Sequence, residues 1–245
     1  MNKITALIIT LNEEEHIGAC IDAVRDICEE VLIIDSPSQD RTREIAEAKG
    51  ARVIANSFPG FGPQKNFGTQ MASNDLILSI DADEMVSSEL RKSILAVKEN
   101  YTAAAYSFNI LNFIGDRAIR TCGWYPDTHV RLYDRRKVKW NDRRVHEGLV
   151  VNGEIRFLQG DLLHYSYKDI AELKTKSTRY AKLGAEVYKN RSAFSLLVNM
   201  IVSPIAKFFK VYILKRGFAD GYVGFMISYY RSRETFLKYY WALIS

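Results

Sequence analysis

The densest chemistry in the sequence is Asp81-Ala82-Asp83-Glu84, which follows directly on the apolar run Leu76-Ile77-Leu78-Ser79-Ile80. Carboxylates at this spacing can hold a hard divalent cation such as Mg2+ or Mn2+, which prefers oxygen ligands and bridges readily to a diphosphate. A diphosphate neutralised in this way is a competent leaving group. Ligands of α/β sheets collect at the carboxyl ends of the strands, so the cluster is expected to face a crevice. If strand geometry continues through it, a period of two puts Asp81 and Asp83 on one side, and Glu84 is expected to start the next helix. The competing reading is an acidic helix N-terminus, where carboxylates are favoured by the helix dipole.

The elements that must position this cluster follow from the first hundred residues, where short apolar runs alternate with amphipathic stretches. That pattern predicts βα units and a largely parallel sheet. Strands are expected at 5–10, 31–34, 52–55 and 76–80. Helical spacing links Ile17, Ile21 and Val24, and again Ile45 and Ala48, while a helix over 88–98 starts from an N-cap at Ser87 or Ser88. Three polar loops then share the edge of the acidic cluster: Thr10-Leu11-Asn12-Glu13-Glu14, Asp35-Ser36-Pro37-Ser38-Gln39-Asp40, and Gly60-Phe61-Gly62-Pro63-Gln64-Lys65-Asn66. Such convergence suits a nucleotide, with Asp35 able to accept from a base or ribose and Lys65 able to meet phosphate as a point charge. Taken singly, Ser38 or Asp40 reads as the N-cap of the next helix and Asn12 as a turn residue. From 104 to 164 the pattern is β-rich, at 106–113, 130–133 and 148–158. The last is split by Asn152-Gly153, a tight-hairpin signal. Beyond Tyr167 the chain reads as helix, with breaks near Asn190, Pro204 and Gly217.

With 245 residues and 47% hydrophobic composition the chain can bury one sizeable core with an appendage. Cys20, Cys28 and Cys122 match neither a disulfide framework nor a zinc site, which points to a reduced, cytosolic compartment. The run from Ile4 to Leu11 is too short for an export signal, so none is expected. The net charge of +5 is uneven: residues 168–245 hold 14 Lys/Arg against five Asp/Glu, a balance of +9. An anionic partner for this third is expected. Residues 192–206 are uncharged but fall short of the roughly 20 needed to span a bilayer. Lys207, Lys210, Lys215 and Arg216 follow among aromatic and aliphatic residues, which fits a segment in a membrane interface. A core-covering helix pair with a solvated basic face fits equally. No nucleic-acid module is present.

The series Ile8-Ile9-Thr10-Leu11-Asn12-Glu13-Glu14, Ile33-Ile34-Asp35-Ser36 with Asp40-Arg41-Thr42, Gln64-Lys65-Asn66, and Ser79-Ile80-Asp81-Ala82-Asp83-Glu84 resembles family 2 glycosyltransferases. Gly123-Trp124-Tyr125-Pro126, Arg131-Leu132-Tyr133, Val145-His146-Glu147 and His164-Tyr165-Ser166-Tyr167 are similar to its bacterial branch that includes lipopolysaccharide core β-1,4-glucosyltransferases. The resemblance implies an α/β GT-A nucleotide-diphospho-sugar transferase fold, a Rossmann-like mixed sheet, with a C-terminal helical extension. Its domains are then 1–167, catalytic, comprising a nucleotide-sugar half at 1–100 and an acceptor half at 101–167, and 168–245, the basic amphipathic helical extension. It also implies a UDP-sugar donor held by Thr10, Leu11, Asn12, Glu13, Asp35, Gln64, Lys65, Asp81 and Ala82, with Mn2+ or Mg2+ on Asp83. Pro37 stands where the family usually has Gly, and Ser36 where many members have a second Asp.

Inversion by one displacement, as the resemblance implies, needs a carboxylate to take the acceptor hydroxyl's proton. The candidate is Glu147, with Asp127 in reserve behind Trp124-Tyr125-Pro126; an ion pair of Glu147 with Arg143 or Arg144 is the alternative. His146 is a possible orienter of Glu147. His164 is expected near the metal or diphosphate, or else as a satisfied buried histidine. The implied function is transfer of a sugar, glucose from UDP-glucose, to a lipopolysaccharide core or other lipid-linked glycan. The implied place is the cytoplasm, peripheral on the inner face of the cytoplasmic membrane, against an anionic lipid surface. A non-catalytic sugar-nucleotide-binding module satisfies the same donor loops. A dinucleotide oxidoreductase is disfavoured because no Gly-x-Gly-x-x-Gly turn follows the first strand. A nucleotidyltransferase is disfavoured because Asn12-Glu13-Glu14-Glu15 is acidic where a basic phosphate loop is wanted.

Overall fold

The continuous apolar run of β1 (Ile4–Thr10) has a simple physical cause: both of its faces are covered. Ile4, Ala6 and Ile8 pack into one core with α1 (Ile17–Val24) and α4 (Ser88–Glu99), while Leu7 packs into a second. The computed structural model describes residues 2–141 and 148–244. β1 runs parallel to β2 (Glu30–Asp35) and β4 (Leu76–Asp81), and β2 runs parallel to β3 (Arg52–Ala55). α2 (Thr42–Ala48) joins β2 to β3, and α3 (Phe61–Met71) joins β3 to β4. The remaining strands are β5 (Glu84–Val86), β6 (Ala105–Ile114), β7 (Arg117–Ala118), β8 (Thr128–Asp134), β9 (Val138–Trp140), β10 (Leu149–Val151) and β11 (Ile155–Tyr167). The main sheet has the order β3-β2-β1-β4-β8-β6-β11-β5, with β7 on β6 and a separate β9–β10 pair. Because β2 lies on one side of β1 and β4 on the other, the chain reverses direction of winding at β1/β4, which opens a crevice at their carboxyl ends.

Three sequence expectations are corrected here. The segment from Gly60 to Asn66 is not a loop: α3 begins at Phe61, and Pro63 sits in its first turn, where the missing N–H would have had no intrahelical partner. Asn152-Gly153 does not close a hairpin. A type I′ turn needs positive φ at both residues, and only Gly153 has it (φ 134°); β10 instead pairs antiparallel with β9, Leu149 opposite Trp140, and β11 enters the main sheet. The strand also ends at Asp81, with Ala82 and Asp83 forming a turn into β5, so Asp81 and Asp83 do not share a strand face and Glu84 does not start a helix. The helix begins at Ser88, with Ser87 accepting from the Leu90 N–H.

Gly160 sets how closely β11 approaches α4. Its φ is +96°, and a Cβ there overlaps the backbone of Glu89 and Leu90. Two residues on, Leu162 pairs with Val86, and His164 then falls opposite Glu84. Gly160→Ala is therefore expected to destabilise by about 1–3 kcal/mol through overpacking and strain. A denaturant midpoint unchanged from wild type would show that this contact does not govern the docking of β11.

The chain divides into two compact units, 1–110 with 127–164, and 111–126 with 165–245. The expected boundary lay at 167/168; the second unit also takes in residues 111–126. It contains α5 (Ile170–Ala185), capped by Asp169, α6 (Ala193–Phe209) and α7 (Gly221–Ile244). α6 packs along α7, and Ile114, Ile119, Cys122, Leu173, Val211, Ile227 and Tyr230 form a core within this unit. The break expected at Pro204 is absent: α6 runs through it and a π-turn at Lys210–Leu214 prolongs the helix. All three cysteines are free and buried.

Candidate functional site

The carboxyl ends of β1, β2 and β4 are aligned by register, Thr10 opposite Asp35 and Ile9 opposite Asp81. The expected donor residues at β1 and β2 are thus neighbours, and the hydrogen bonds explain how the loops are held. Asp35, fully buried, accepts from Thr10 Oγ1 (3.0 Å) and from the Ser38 N–H (3.0 Å) and Oγ (2.5 Å). Asn12 takes a left-handed φ of 56°, donates its N–H to Ser38 Oγ (2.9 Å), and accepts from the Gln39 N–H (2.8 Å). The Glu13 N–H reaches Thr42 Oγ1 (2.7 Å), and Glu13 Oε2 lies 3.2 Å from His16 Nδ1. Leu11, at the tip, is 53% exposed. The two loops are therefore laced to each other through short polar side chains, and Asp35 is the clamp between them.

Gln64 and Lys65 occupy the start of α3, and both are buried. Gln64 bridges Asn56 (2.7 Å) and Ser36 Oγ (3.2 Å), fixing the β2 and β3 ends. Lys65 Nζ approaches Asp81 Oδ1 (3.3 Å) and lies over the Trp140 ring, 4.8 Å from its centroid. From the other side Arg131, on β8, places Nη2 3.2 Å from Asp81 Oδ2 and 2.7 Å from Glu84 Oε1. Glu84 is wholly buried, and its second oxygen accepts the Asp81 N–H at 2.7 Å. Burial alone would raise the Asp81 carboxyl, but Lys65 and then Arg131 outweigh it and hold Asp81 well below the usual carboxylate range. Asp81 is accordingly a fixed anion gripped by two cations, and the turn behind it is pinned by Glu84. Ala82, in that turn, is buried.

Arg131, which the sequence carries in Arg131-Leu132-Tyr133 with no role assigned to it, is the cation that joins Asp81 to Glu84. The available signal was a cation between the apolar residues Val130 and Leu132 of a strand, a place where a charge must find a buried counter-charge. Arg131→Ala strands the Glu84 carboxylate and is expected to cost about 3–5 kcal/mol. Thermal or urea unfolding measures it, and a loss below about 1 kcal/mol would mean the pair does not hold the turn.

Asp83 and His164 meet: His164 Nε2 lies 3.1 Å from Asp83 Oδ2, with both side chains about a quarter exposed, at 27% and 25%. Burial depresses the imidazole, but its hydrogen bond to the Asp83 carboxylate and the charges of Asp83, Glu84 and Asp81 overcome it and raise its pKa above the ordinary value. Among the described residues no group of three or more His, Cys, Asp or Glu is arranged to hold a metal. Asp83 and His164 are nonetheless a carboxylate oxygen and an imidazole nitrogen reaching solvent together. They fit a cation that takes only part of its coordination from protein and the rest from phosphate and water, as Mg2+ characteristically does.

Beside Asp81 opens a cleft of about 340 Å³, lined by Lys65, Asp81, His129, Arg131, Trp140 and Ile155 among others. Asp127 is half exposed and bonds His129 Nε2 at 2.9 Å, so it stands next to a cleft-lining residue. Glu147, with His146, Arg143 and Arg144, lies outside the described residues, in the segment that precedes the cleft residues Gly148 and Leu149.

A parallel half-sheet with its winding reversal at β1/β4, antiparallel return strands, and an acidic turn at that reversal define the GT-A class of α/β transferase. Residues 5–157 match the family described as glycosyl transferase family 2. An uncharacterized glycosyltransferase of Rickettsia typhi is 32% identical over 97% of this chain and 86% of its own length. The lipopolysaccharide core biosynthesis glycosyltransferase LpsC of Rhizobium meliloti is 26% identical over 91% of this chain and 86% of its own. A crystal structure of glucosyl-3-phosphoglycerate synthase from Mycobacterium tuberculosis is similar over 45% of this chain and 43% of that one, at 22% identity and a TM-score of 0.38. The chain belongs to glycosyl transferase family 2, and it is a glycosyltransferase.

Proposed function

We propose that the chain is an inverting, metal-dependent glycosyltransferase that moves a hexose, glucose from UDP-glucose, to a lipopolysaccharide core or other lipid-linked glycan, forming a β-glycosidic bond. The observation that supports the donor reading most is the edge where Thr10, Asp35 and Asp81 align, with Asp83 and His164 meeting in the turn beyond. The acceptor reading is supported by the likeness to LpsC over most of both chains, and glucose by the resemblance of the motifs alone. Thr10, Leu11, Asn12 and Glu13 are assigned to the base and ribose, with Asp35 setting the shape of that wall. Gln64 holds the floor, and Lys65, Asp81 and Ala82 border the diphosphate. Asp83 and His164 would hold the Mn2+ or Mg2+, which when bound would neutralise charge on the departing diphosphate.

In the transfer, the acceptor hydroxyl attacks the anomeric carbon as the bond to the UDP oxygen breaks. Glu147 takes the hydroxyl proton, with Asp127 the second candidate. Attack on the face opposite the leaving group inverts the centre. The enzyme works in the cytoplasm, peripheral on the inner face of the cytoplasmic membrane, where a lipid-borne acceptor is available; residues 1–167 carry catalysis and 168–245 the contact with anionic lipid. UDP release measures the reaction: the chain with Mn2+, a lipopolysaccharide-type acceptor, and UDP-glucose, UDP-galactose or UDP-N-acetylglucosamine in turn. Acceptor-stimulated release with UDP-glucose above the other two is expected. Stimulation by another donor alone corrects the sugar, and no metal-dependent release with any of them removes the donor assignment.

A further inference from the structure

Within the second compact unit, whose core is apolar, the helix α6 nonetheless turns an apolar side outward. Along α6 the exposed positions from Leu197 to Ala206 are Leu197, Val198, Ile201, Val202, Ile205 and Ala206, all apolar. The polar residues Ser195, Asn199 and Ser203 are half-buried on the inner side and bond one another in series, with Asn199 Nδ2 2.7 Å from the Ser195 carbonyl and Ser203 Oγ 3.1 Å from Asn199 Oδ1. A water-facing helix shows the reverse, with polar groups outward and an apolar stripe against the core. The stripe continues through Phe209, Ile213 and Leu214, all at least 48% exposed. On α7, Tyr222, Phe225 and Tyr229 are exposed as well, and Phe225 packs edge-on to Phe208 and Tyr212 of the α6 segment.

Charge frames this face. Between Val187 and Ala219 there is no Asp or Glu, while Lys189 and Arg191 precede the stripe and Lys207, Lys210, Lys215 and Arg216 follow or edge it. Burial, and then the nearby cations Arg231, Lys210 and Lys238 against the opposing Glu234, push the Lys207 ammonium below its usual pKa. Apolar stripe and basic flanks together match the surface of an anionic bilayer.

The uncharged residues 192–206 are by themselves too few to span a bilayer. The helical run from Ala193 to Leu214 is in fact 22 residues with mean hydropathy 1.6, long and apolar enough by length and composition. Its packing decides otherwise. Ser232 Oγ on α7 bonds the Pro204 carbonyl at the middle of the run (2.7 Å), so Arg231 and Arg233 stand level with its midpoint. Placing α6 across a bilayer would carry those guanidiniums towards the hydrocarbon centre, where such charges are strongly disfavoured. We propose that the outer face of α6 docks on an anionic lipid bilayer with the helix lying in the plane of the interface. The inference takes up the peripheral location proposed above but uses no residue of the donor site, so the two can fail separately.

The test is sedimentation of the full chain with vesicles of phosphatidylcholine, with or without phosphatidylglycerol. Wild type is expected to bind the anionic vesicles, and Ile201→Glu with Ile205→Glu to lower partitioning by about tenfold or more through loss of buried apolar contact. Lys207→Gln with Lys210→Gln is expected to weaken binding only at low salt, since screening shortens the reach of the lysines. Circular dichroism and UDP release from donor alone should stay at wild-type level in both double variants; UDP release lost in all proteins would count against the donor reading only. Wild type failing to bind, or the isoleucine variant binding equally, overturns the docking surface. So does a wild-type dimer in solution that the isoleucine variant dissociates while neither binds vesicles, because the face then joins two copies. For orientation, fluorophores at Phe194→Cys, Ile205→Cys and Leu214→Cys should be quenched alike by lipids brominated near the headgroup. A deep Ile205 position with the two ends on opposite leaflets overturns the in-plane arrangement.

Discussion

Glu147→Gln is expected to lower acceptor-dependent turnover by about 10²–10⁴-fold, the range for loss of a general base, while UDP binding in the presence of Mn2+ stays within about twofold of wild type. The substitution keeps the side chain's size and removes only its capacity to take a proton. The split between turnover and donor affinity therefore separates a base from a donor-binding residue. It also separates transfer from mere donor binding, because a binding module has no turnover to lose. If turnover survives in Glu147→Gln and falls in Asp127→Asn, the base is Asp127. If both keep it, neither carboxylate takes the proton.

Asp83→Ala is expected to reduce metal-dependent UDP release by about 10³-fold, the scale for removing one group that stabilises charge developing at a leaving group. It should also raise the Mn2+ concentration needed for half-maximal UDP binding by at least about tenfold, which calorimetry reads without catalysis. Folding should be little affected, since Asp83 is a quarter exposed and hydrogen-bonds His164 at the edge of the turn. Asp81→Ala provides the contrast. Asp81 lies between Lys65 and Arg131, so its loss should lower stability together with activity. Equal Mn2+ dependence in Asp83→Ala and wild type would exclude Asp83 from the metal site. An Asp83→Ala chain that unfolds like Asp81→Ala would place Asp83 in the same structural grip instead.

Local pattern made the parallel half legible. Each of the first four strands is a short apolar run with turn residues behind it, and Ile17, Ile21 and Val24 mark the buried face of α1. An N-cap at Ser87 or Ser88 was readable because the helix behind it carries its own periodicity, and the structure assigns it to Ser87. α3 was not: Gly60, Gly62 and Pro63 are loop-forming residues by local preference, and the helix takes its place through distant partners, the close approach of Gly68 to Leu7 and Ile34 and the hydrogen bonds between Asn66 and Trp140. The Asn152-Gly153 signal misled for a related reason, since pairing of β10 with β9 and of β11 with the main sheet is a choice among distant partners.

The sequence by itself determined the family, the order of the donor loops, and the placing of acidic residues directly behind the fourth strand, because those properties are written in contiguous residues. The tertiary structure alone decided that Asp81 and Asp83 part company at a turn, that Asp81 is gripped by Lys65 and Arg131 while Glu84 is sealed beneath it, and that His164, 81 positions on, meets Asp83. It also decided that the apolar side of α6 faces outward. The reason is common to all of these: whether a charge is paired, buried or exposed depends on what a distant strand or helix brings beside it, and spacing along the chain does not carry that information.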